Sequence, residues 1–200
     1  STGERNSADM KGRDSGMPLK EMWEGFFDPA QILAVMGLGE DVGDIVEFGC
    51  GYGTFTIPAA KMIRGIVHAI DIDAEMAAQT KEEAAKAGVE NINTILRDFM
   101  AEGTGLKDGS VDYVMLFNIL HVENPDVLLG ESWRILRCGG KLGIIHWNYD
   151  PATPRGPSME IRPRPEQCVA WASAAGFSAP QRHDLKPYHY GIVMRKGAER

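Results

Sequence analysis

The stretch VEFGCGYGTFTIPAA, residues 46–60, constrains the fold more than any other part of the chain. A short apolar segment runs into three glycines at alternate positions, Gly49, Gly51 and Gly53. Glycine lets the backbone bend sharply and come within contact distance of a ligand, because no Cβ atom intervenes. The stretch therefore predicts a strand that ends in a ligand-binding turn.

A helix should follow that turn directly. Pro58 is tolerated only in the first turn of a helix, so we expect a helix that begins close to Thr54 and ends at about Ile63. Farther along, Asp73 is placed to cap the start of a second helix, and Gly88 is placed to stop it.

Strand and helix patterns alternate from residue 44 to residue 147. The strand segments are, in order, DIVEF, GIVHAID, INTILR, VDYVMLFNIL and KLGIIHW. The helix before the fifth segment opens at Pro125 and is expected to close at Arg137 and Gly139. Because parallel strands need crossover connections, these units predict a parallel sheet with helices on both faces.

Two further strand segments, at about 179–185 and 189–196, finish the chain without a helix between them. Strands connected in this way must pair antiparallel, as a hairpin. The predicted fold class is therefore α/β: a doubly wound, seven-stranded, mostly parallel sheet with a C-terminal antiparallel hairpin, in three αβα layers.

The charge balance bears on partners and location. A formal net charge of −7 and a sequence pI of about 5.3 argue against nucleic acid as a partner, because no broad positive field is available. No apolar run reaches the roughly 18 residues that span a bilayer, so we expect no membrane partner and a cytoplasmic location. Cys50, Cys138 and Cys168 form no C-x-x-C pair, and no metal site is predicted.

Two cofactors compete for the glycine turn. A nicotinamide dinucleotide favours G-x-G-x-x-G, but Thr54 stands at the third glycine position. Glu47 would also bring a carboxylate close to the anionic pyrophosphate, which Coulomb repulsion disfavours. The same carboxylate suits a ligand that carries a positive ammonium group.

The segment EFGCGYG resembles the E/D-x-G-x-G-x-G motif of class I S-adenosylmethionine-dependent methyltransferases, and the resemblance extends motif by motif over residues 44–147. It implies S-adenosyl-L-methionine as the cofactor and S-adenosyl-L-homocysteine as the product. It also implies that the cofactor is bound by the motif residues Glu47, Gly49, Cys50, Gly51 and Gly53.

Asp71, at the end of the second strand, is the expected ribose ligand. A carboxylate there can accept two hydrogen bonds from the vicinal diol. The alternative is a helix cap, but Asp73 is better placed for that duty. Ile72 would then lie against the adenine ring.

The resemblance assigns two more parts of the cofactor. Asp98, in the segment RDFM, would receive the adenine amino group, and the amide of Phe99 would meet a ring nitrogen. An ordinary turn-forming Asp is the alternative at Asp98. Phe117 and Asn118, at the end of the fourth strand, would line the methionine end.

The domain organisation follows from these assignments. We expect a flexible N-terminal segment at 1–17 and a single methyltransferase domain at 18–200. That domain divides into N-terminal helices at 18–43, a cofactor-binding core at 44–147, and a substrate-side loop, helix and terminal hairpin at 148–200. Whether the N-terminal helices form a lid or pack on the core stays open.

The predicted reaction is in-line methyl transfer to a small-molecule acceptor. The motif [N/D]-P-P-[Y/F/W], used by family members that methylate exocyclic amines, is absent after the fourth strand, and no target-recognition insert is present. His121 and His189 are the candidate catalytic bases, with His146 a weaker one, because imidazole titrates near neutral pH.

Several alternatives remain at this stage. Arg155, Arg162 and Arg164 make an anionic acceptor one hypothesis, and solvated loop charges are the other. An NAD-dependent oxidoreductase and a non-catalytic S-adenosylmethionine-binding module are the rival functions. The oligomeric state is left open.

Overall fold

The structure is a computed structural model that describes residues 28–198. The predicted segment at 1–17 and the first part of the predicted N-terminal helices, up to residue 27, lie outside the described residues. The described part of the chain begins with Asp28, which caps a short helix through a hydrogen bond from the amide of Gln31.

Helices and strands alternate along the described chain as the sequence predicts. The helices are α1 (Pro29–Val35), α2 (Thr56–Met62), α3 (Ala74–Lys86), α4 (Phe99–Glu102), α5 (Pro125–Ile135) and α6 (Pro165–Ala174). The strands are β1 (Ile45–Phe48), β2 (Val67–Asp71), β3 (Ile92–Leu96), β4 (Val111–Phe117), β5 (Leu136–Trp147), β6 (Phe177–Leu185) and β7 (His189–Lys196). No helix among these combines the length and apolar character needed to cross a bilayer.

The seven strands form one sheet in the order β3-β2-β1-β4-β5-β7-β6. Strands β1 to β5 pair in parallel, and β7 pairs antiparallel with both β5 and β6. The predicted doubly wound sheet with a C-terminal hairpin is confirmed. Strand order reverses at β1, which lies between β2 and β4.

Alternate residues of β1 face the two helix layers, as the period of a strand requires. Ile45 packs in a cluster with residues of α1 and α2 on one face. Val46 and Phe48 pack on the other face with residues of α5 and α6. Glu47 lies two residues after Ile45 and therefore faces α2 as well, where its carboxylate accepts a hydrogen bond from Thr56.

Two predicted boundaries differ from the structure. Helix α2 begins at Thr56 rather than close to Thr54, because residues before it continue the turn. Strand β5 begins at Leu136, so the expected helix end at Arg137 and Gly139 is wrong. The strand pairs with β4 on both sides of a register shift, and this tertiary pairing overrides the local stop signal.

Candidate active site

One cavity lies at the carboxyl edge of the sheet, where strands β1 to β5 end. Open α/β sheets bind ligands at this edge, at the point where strand order reverses. The described residues that line it are Glu47, Phe48, Gly49, Cys50, Gly51, Tyr52, Thr54, Phe55, Asp71, Ile72, Asp73, Met76, Phe99, Met100, Phe117, Asn118, Ile119, His121, Val122 and Trp147.

The glycine-rich turn after β1 adopts a backbone conformation that other residues rarely take. The φ angles of Gly49, Gly51 and Gly53 are 74°, 55° and 78°, all in the left-handed region. The amide of Gly49 donates to the carbonyl of Ile70 at 2.7 Å, which ties the start of the turn to β2. Gly49 and Gly51 line the cavity, whereas Gly53 does not.

Cys50 contributes its backbone and a small buried side chain to the turn. The hydroxyl of Thr80, on α3, lies 3.4 Å from the Cys50 Sγ atom and 3.1 Å from the Gly51 carbonyl oxygen. Burial, followed by the charge of Glu47, raises the pKa of the Cys50 thiol far above its usual range. The thiol therefore stays protonated and is a poor nucleophile.

Asp71 is held in place by two backbone amides. Its Oδ2 accepts from Gly51 at 3.0 Å, and its Oδ1 accepts from Asp73 at 2.9 Å. Burial raises the pKa of Asp71, and the two amide hydrogen bonds oppose that rise. Asp73 caps α3 by accepting from the amide of Glu75, so the cap predicted at Asp73 is confirmed.

Glu47 is a buried carboxyl group at the base of the turn, with 3% of its surface exposed. The hydroxyl of Thr56 donates to its Oε1. Burial raises the pKa of Glu47 to about 8, although the hydrogen bond from Thr56 acts in the opposite direction. A bound cation would favour the ionised carboxylate, so this site is suited to an ammonium group.

Asn118 shows strain directly after β4. Its φ angle is 54°, a left-handed conformation that is uncommon outside glycine, and its amide donates to the carbonyl of Ile145 at 2.7 Å. Both polar atoms of its side chain are buried without a hydrogen-bond partner within the described residues, and so is the hydroxyl of Thr54. Buried polar groups are normally paired, which indicates a polar ligand at this point.

The end of the cavity nearest β2 and β3 is apolar. Phe99 and Phe48 meet edge to face, with their ring centroids 5.2 Å apart. Ile72, Met76 and Met100 also line the cavity, and their apolar character suits a flat aromatic ring.

Asp98 lies outside this lining. Its Oδ1 accepts from the amides of Met100 and Ala101 at 3.2 and 3.1 Å, so it caps the four-residue helix α4. That arrangement is the turn-forming alternative considered for Asp98, and it positions Phe99 at the cavity.

Of the three candidate histidines, His121 follows β4, His146 lies near the end of β5 and His189 begins β7, and among these three only His121 lines the cavity. The His121 Nδ1 atom and the His146 Nε2 atom are 3.1 Å apart. His189 is fully buried, and its ring centroid lies 4.1 Å from that of Trp147. Burial and the charge of Arg162 lower the pKa of His189 to about 3. The structure therefore gives His189 neither the access nor the basicity of a catalytic base, and the reason is burial in the β7 strand.

Arg162 is buried and serves the loop before α6 rather than the cavity. Its guanidinium donates to backbone carbonyl oxygens, including those of Asn148 at 3.0 Å and Pro157 at 2.7 Å, and to the Thr153 hydroxyl at 2.6 Å. Arg164 lies over the ring of Tyr149, at 3.9 Å from its centroid. Direct pairing of Arg162 with an anionic acceptor is therefore not what the structure shows.

Sequence reasoning missed Trp147, Met76 and Tyr52 as lining residues. Trp147 ends β5, and a large aromatic residue at the carboxyl end of a parallel strand is a signal that could have found it. Met76 lies one turn into α3, where its orientation depends on how that helix packs on β2 and β3, and no local pattern reports this.

The lining fits S-adenosylmethionine in three respects. Carboxyl groups that would suit an ammonium group and a ribose line one part of the cavity, apolar side chains that would suit an adenine line another, and the side-chain amide of Asn118 is unpaired. Among residues 28–198, no group of three or more His, Cys, Asp or Glu side chains is arranged to hold a metal ion.

Comparison with known proteins gives results that agree with this geometry. The family described as "Methyltransferase domain" matches residues 45–140. A solved S-adenosylmethionine-dependent methyltransferase from Aquifex aeolicus superposes with a TM-score of 0.79 at 24% identity, covering 89% of this chain and 94% of that chain.

Curated relatives cover shorter parts of the chain. Aklanonic acid methyltransferase DauC from Streptomyces sp. (strain C5) is 32% identical over 103 residues, which are 50% of this chain and 46% of that protein. Ribosomal RNA small subunit methyltransferase A from Desulforapulum autotrophicum is 33% identical over 87 residues, 42% of this chain and 30% of that protein. The chain thus spans less than half the length of these two relatives.

Proposed function

We propose that the chain is a class I S-adenosylmethionine-dependent methyltransferase and that it transfers a methyl group from that cofactor to a small-molecule acceptor. The observation that carries the proposal is the cavity in which Glu47, Asp71 and the unpaired amide of Asn118 meet around the glycine turn.

Each end of the cofactor has a proposed set of partners. Asp71 accepts the ribose hydroxyls, while Glu47 and Asn118 serve the methionine end. Ile72 and Phe99 pack against the adenine. Gly53 and Asp98 act indirectly, since one closes the turn and the other caps α4.

When bound, S-adenosylmethionine supplies a methyl carbon that bonds to the acceptor's lone pair as its bond to sulfur breaks, with the electron pair of that bond remaining on the neutral sulfur. The departing thioether needs no proton. The chain must chiefly hold the acceptor in line, and positioning of this kind contributes up to roughly 7–11 kcal/mol. His121 and Trp147 line the cavity at the β4 and β5 end, where the acceptor would lie.

A small acceptor is supported by the burial of part of the site and by the net charge. Phe117, His121 and Trp147 in the cavity lining are buried, and the formal net charge of −7 disfavours an RNA backbone. By its name, the Streptomyces relative acts on aklanonic acid, a small molecule. The ribosomal RNA relative keeps an RNA acceptor as the competitor to be tested.

Calorimetry and product analysis test the proposal. We expect saturable heat with S-adenosylmethionine, none with NAD, and release of S-adenosylhomocysteine with at least one small acceptor from a broad panel. Binding without turnover on any acceptor, including ribosomal RNA, would instead favour the non-catalytic binding module. Absence of any heat with S-adenosylmethionine would overturn the function altogether.

A further inference from the structure

The histidines at the ends of β4 and β5 form a chain of hydrogen bonds with a fixed direction. The backbone N–H of Trp147 donates to the Nδ1 atom of His146 at 2.9 Å. The Nε2 atom of His146 then lies 3.1 Å from the Nδ1 atom of His121. His146 is wholly buried, and His121 is 5% exposed and lines the cavity.

The amide of Trp147 determines where every proton in this chain lies. A backbone N–H can only donate a hydrogen bond, so the Nδ1 atom of His146 must be unprotonated in order to accept it. A neutral imidazole has one N–H, which in His146 must then be on Nε2. That N–H donates to His121, so Nδ1 of His121 is bare in turn and its proton is on Nε2.

His146 stays neutral because of its surroundings. Burial lowers the pKa of His146 well below its usual range, and the charge of Arg162 acts in the same direction. The ring of Tyr190 stacks beside it, with the centroids 6.5 Å apart. His146 can therefore donate to His121 throughout the physiological pH range.

We propose that His146 is a positioning residue that fixes His121 as a hydrogen-bond donor through Nε2, so that the methyl acceptor presents an oxygen to His121. The inference rests on the proposed methyl transfer for its substrate class. It replaces the role of general base expected for His121. A base at His121 would need a bare Nε2 atom, and the hydrogen bond from His146 excludes that tautomer.

The acceptor class follows from this assignment. If His121 donates a hydrogen bond and does not act as a base, the acceptor must bind in its deprotonated form. We therefore assign the acceptor to the anions whose charge is shared between oxygen atoms, here called the oxygen acids: a carboxylate or the enolate of a 1,3-dicarbonyl compound. In both, the negative charge is shared with a second oxygen, which His121 holds while the other nucleophilic atom attacks the methyl carbon. The proton of the acid has been lost to solvent beforehand, so the step needs no proton acceptor.

The buried charge of Arg162 agrees with an anionic acceptor. Its guanidinium is bonded within the loop, yet its charge lowers the pKa of both His146 and His189. A positive potential therefore extends toward this end of the cavity and favours an anion there.

Nitrogen NMR on the cofactor-free chain tests the tautomer without any acceptor. Long-range proton–nitrogen correlations at pH 7 should show a protonated Nε2 and a bare Nδ1 in both His121 and His146. The spectra of His121→Gln and His146→Gln would assign the signals. A protonated Nδ1 on His121, or an imidazolium form of it at pH 7, would overturn the proposal.

Variants test the donor role during turnover. The probes are benzoate, acetylacetone and benzylamine with S-adenosylmethionine. Methylation should be confined to the first two, and His121→Phe should lower kcat by about 100-fold, as loss of one oxyanion donor does. His121→Gln keeps an N–H at the Nε2 position and should stay within about ten-fold of the unchanged chain.

Two variants of His146, one that keeps its hydrogen-bond donor and one that removes it, test its positioning role. His146→Gln retains a donor toward His121 and should keep a pH profile of kcat/KM without a histidine step between pH 5 and 8. His146→Leu removes that donor, frees Nδ1 of His121 and should introduce such a step. A histidine step already present in the unchanged chain and lost in His121→Gln would identify a general base and overturn the proposal.

The outcomes separate this inference from the proposed function. Methylation of benzylamine but not of the oxygen acids would overturn the acceptor class while leaving methyl transfer in place. If the chain bound S-adenosylmethionine but methylated none of the probes, the acceptor class would be overturned and the NMR result would still decide the tautomer.

Discussion

At the β1 and β2 end of the cavity the titratable side chains are carboxyl groups, whereas at the β4 and β5 end they are imidazoles. Burial raises the pKa of the carboxyl groups of Glu47 and Asp71. His121 and His146 instead satisfy each other through an internal hydrogen bond. The comparison indicates that the carboxyl groups of the first end suit a cationic, hydroxyl-bearing ligand. The imidazoles of the second end have a partner within the chain and, in the proposed tautomer, present a fixed donor.

The largest expected effect comes from the carboxylate that would hold the ribose. Asp71→Asn should lower the affinity for S-adenosylmethionine about 100-fold, because two hydrogen bonds to a charged group are weakened. Asp126→Asn, at an exposed position of α5, is the matched control and should bind normally. Calorimetry measures the affinity of both variants, and equal affinities for S-adenosylmethionine would contradict the assignment of Asp71 as the ribose ligand.

Arg162→Ala should destabilise the chain with little change in cofactor affinity. The guanidinium is buried and donates to several carbonyl oxygens of one loop, so its removal leaves those acceptors unpaired, at a cost of about 3 kcal/mol. Arg182→Ala, at an exposed position of β6, is the control. Chemical denaturation gives the free energies of unfolding, and a loss of cofactor affinity without a loss of stability would contradict the separation of this loop from the cofactor end.

Glu47→Gln should change how stability depends on pH. Since the folded-state pKa of Glu47 is raised from 4.5 to about 8, its contribution is fully present below pH 4.5 and is lost as pH rises toward 8. The free energy of unfolding should fall in that window by at most roughly 1.4 kcal/mol per pH unit. The variant should remove this slope, and Glu90→Gln, at an exposed site, should keep it.

The same carboxyl group links cofactor binding to protons. The ammonium group of S-adenosylmethionine favours the ionised form of Glu47, so binding near pH 7 should release a proton from it, detectable as a dependence of the calorimetric heat on the buffer. Proton release that is unchanged in Glu47→Gln would show that the ammonium is bound elsewhere.

The smallest expected effect is at Asn118. Asn118→Gly suits the φ angle of 54° and removes an amide whose two polar atoms are buried and unpaired. We expect cofactor affinity to fall by about ten-fold while thermal stability stays within a few degrees, because no hydrogen bond of the free chain is lost. A fall in stability with unchanged affinity would assign the side chain to folding instead.

The parts of the site that sequence could predict are those determined locally. The glycine turn, Asp71 and the cap at Asp73 depend on residues a few positions apart: the turn follows β1, Asp71 ends β2 and Asp73 caps α3, as the sequence predicts. The sheet order followed because parallel units with right-handed crossovers have few arrangements. The surroundings of His189 and Arg162 could not be predicted, since each depends on where a distant strand or loop packs.

Asp98 and the start of β5 illustrate the same limit in two ways. A strand-end aspartate can either meet a ligand or cap the next helix, and the choice at Asp98 depends on whether α4 forms at all. At Leu136, pairing with Val111 extends the strand through residues that locally resemble a helix stop. In both cases long-range contacts selected between two locally acceptable structures.

The contact between Thr80 and the glycine turn has a consequence for dynamics. Its hydroxyl donates to the Gly51 carbonyl, so a hydrogen bond joins the middle of α3 to a loop that lines the cavity. Ligand binding should therefore slow amide hydrogen exchange along α3, including at positions that never contact it, and the helix would report occupancy of the turn from a distance.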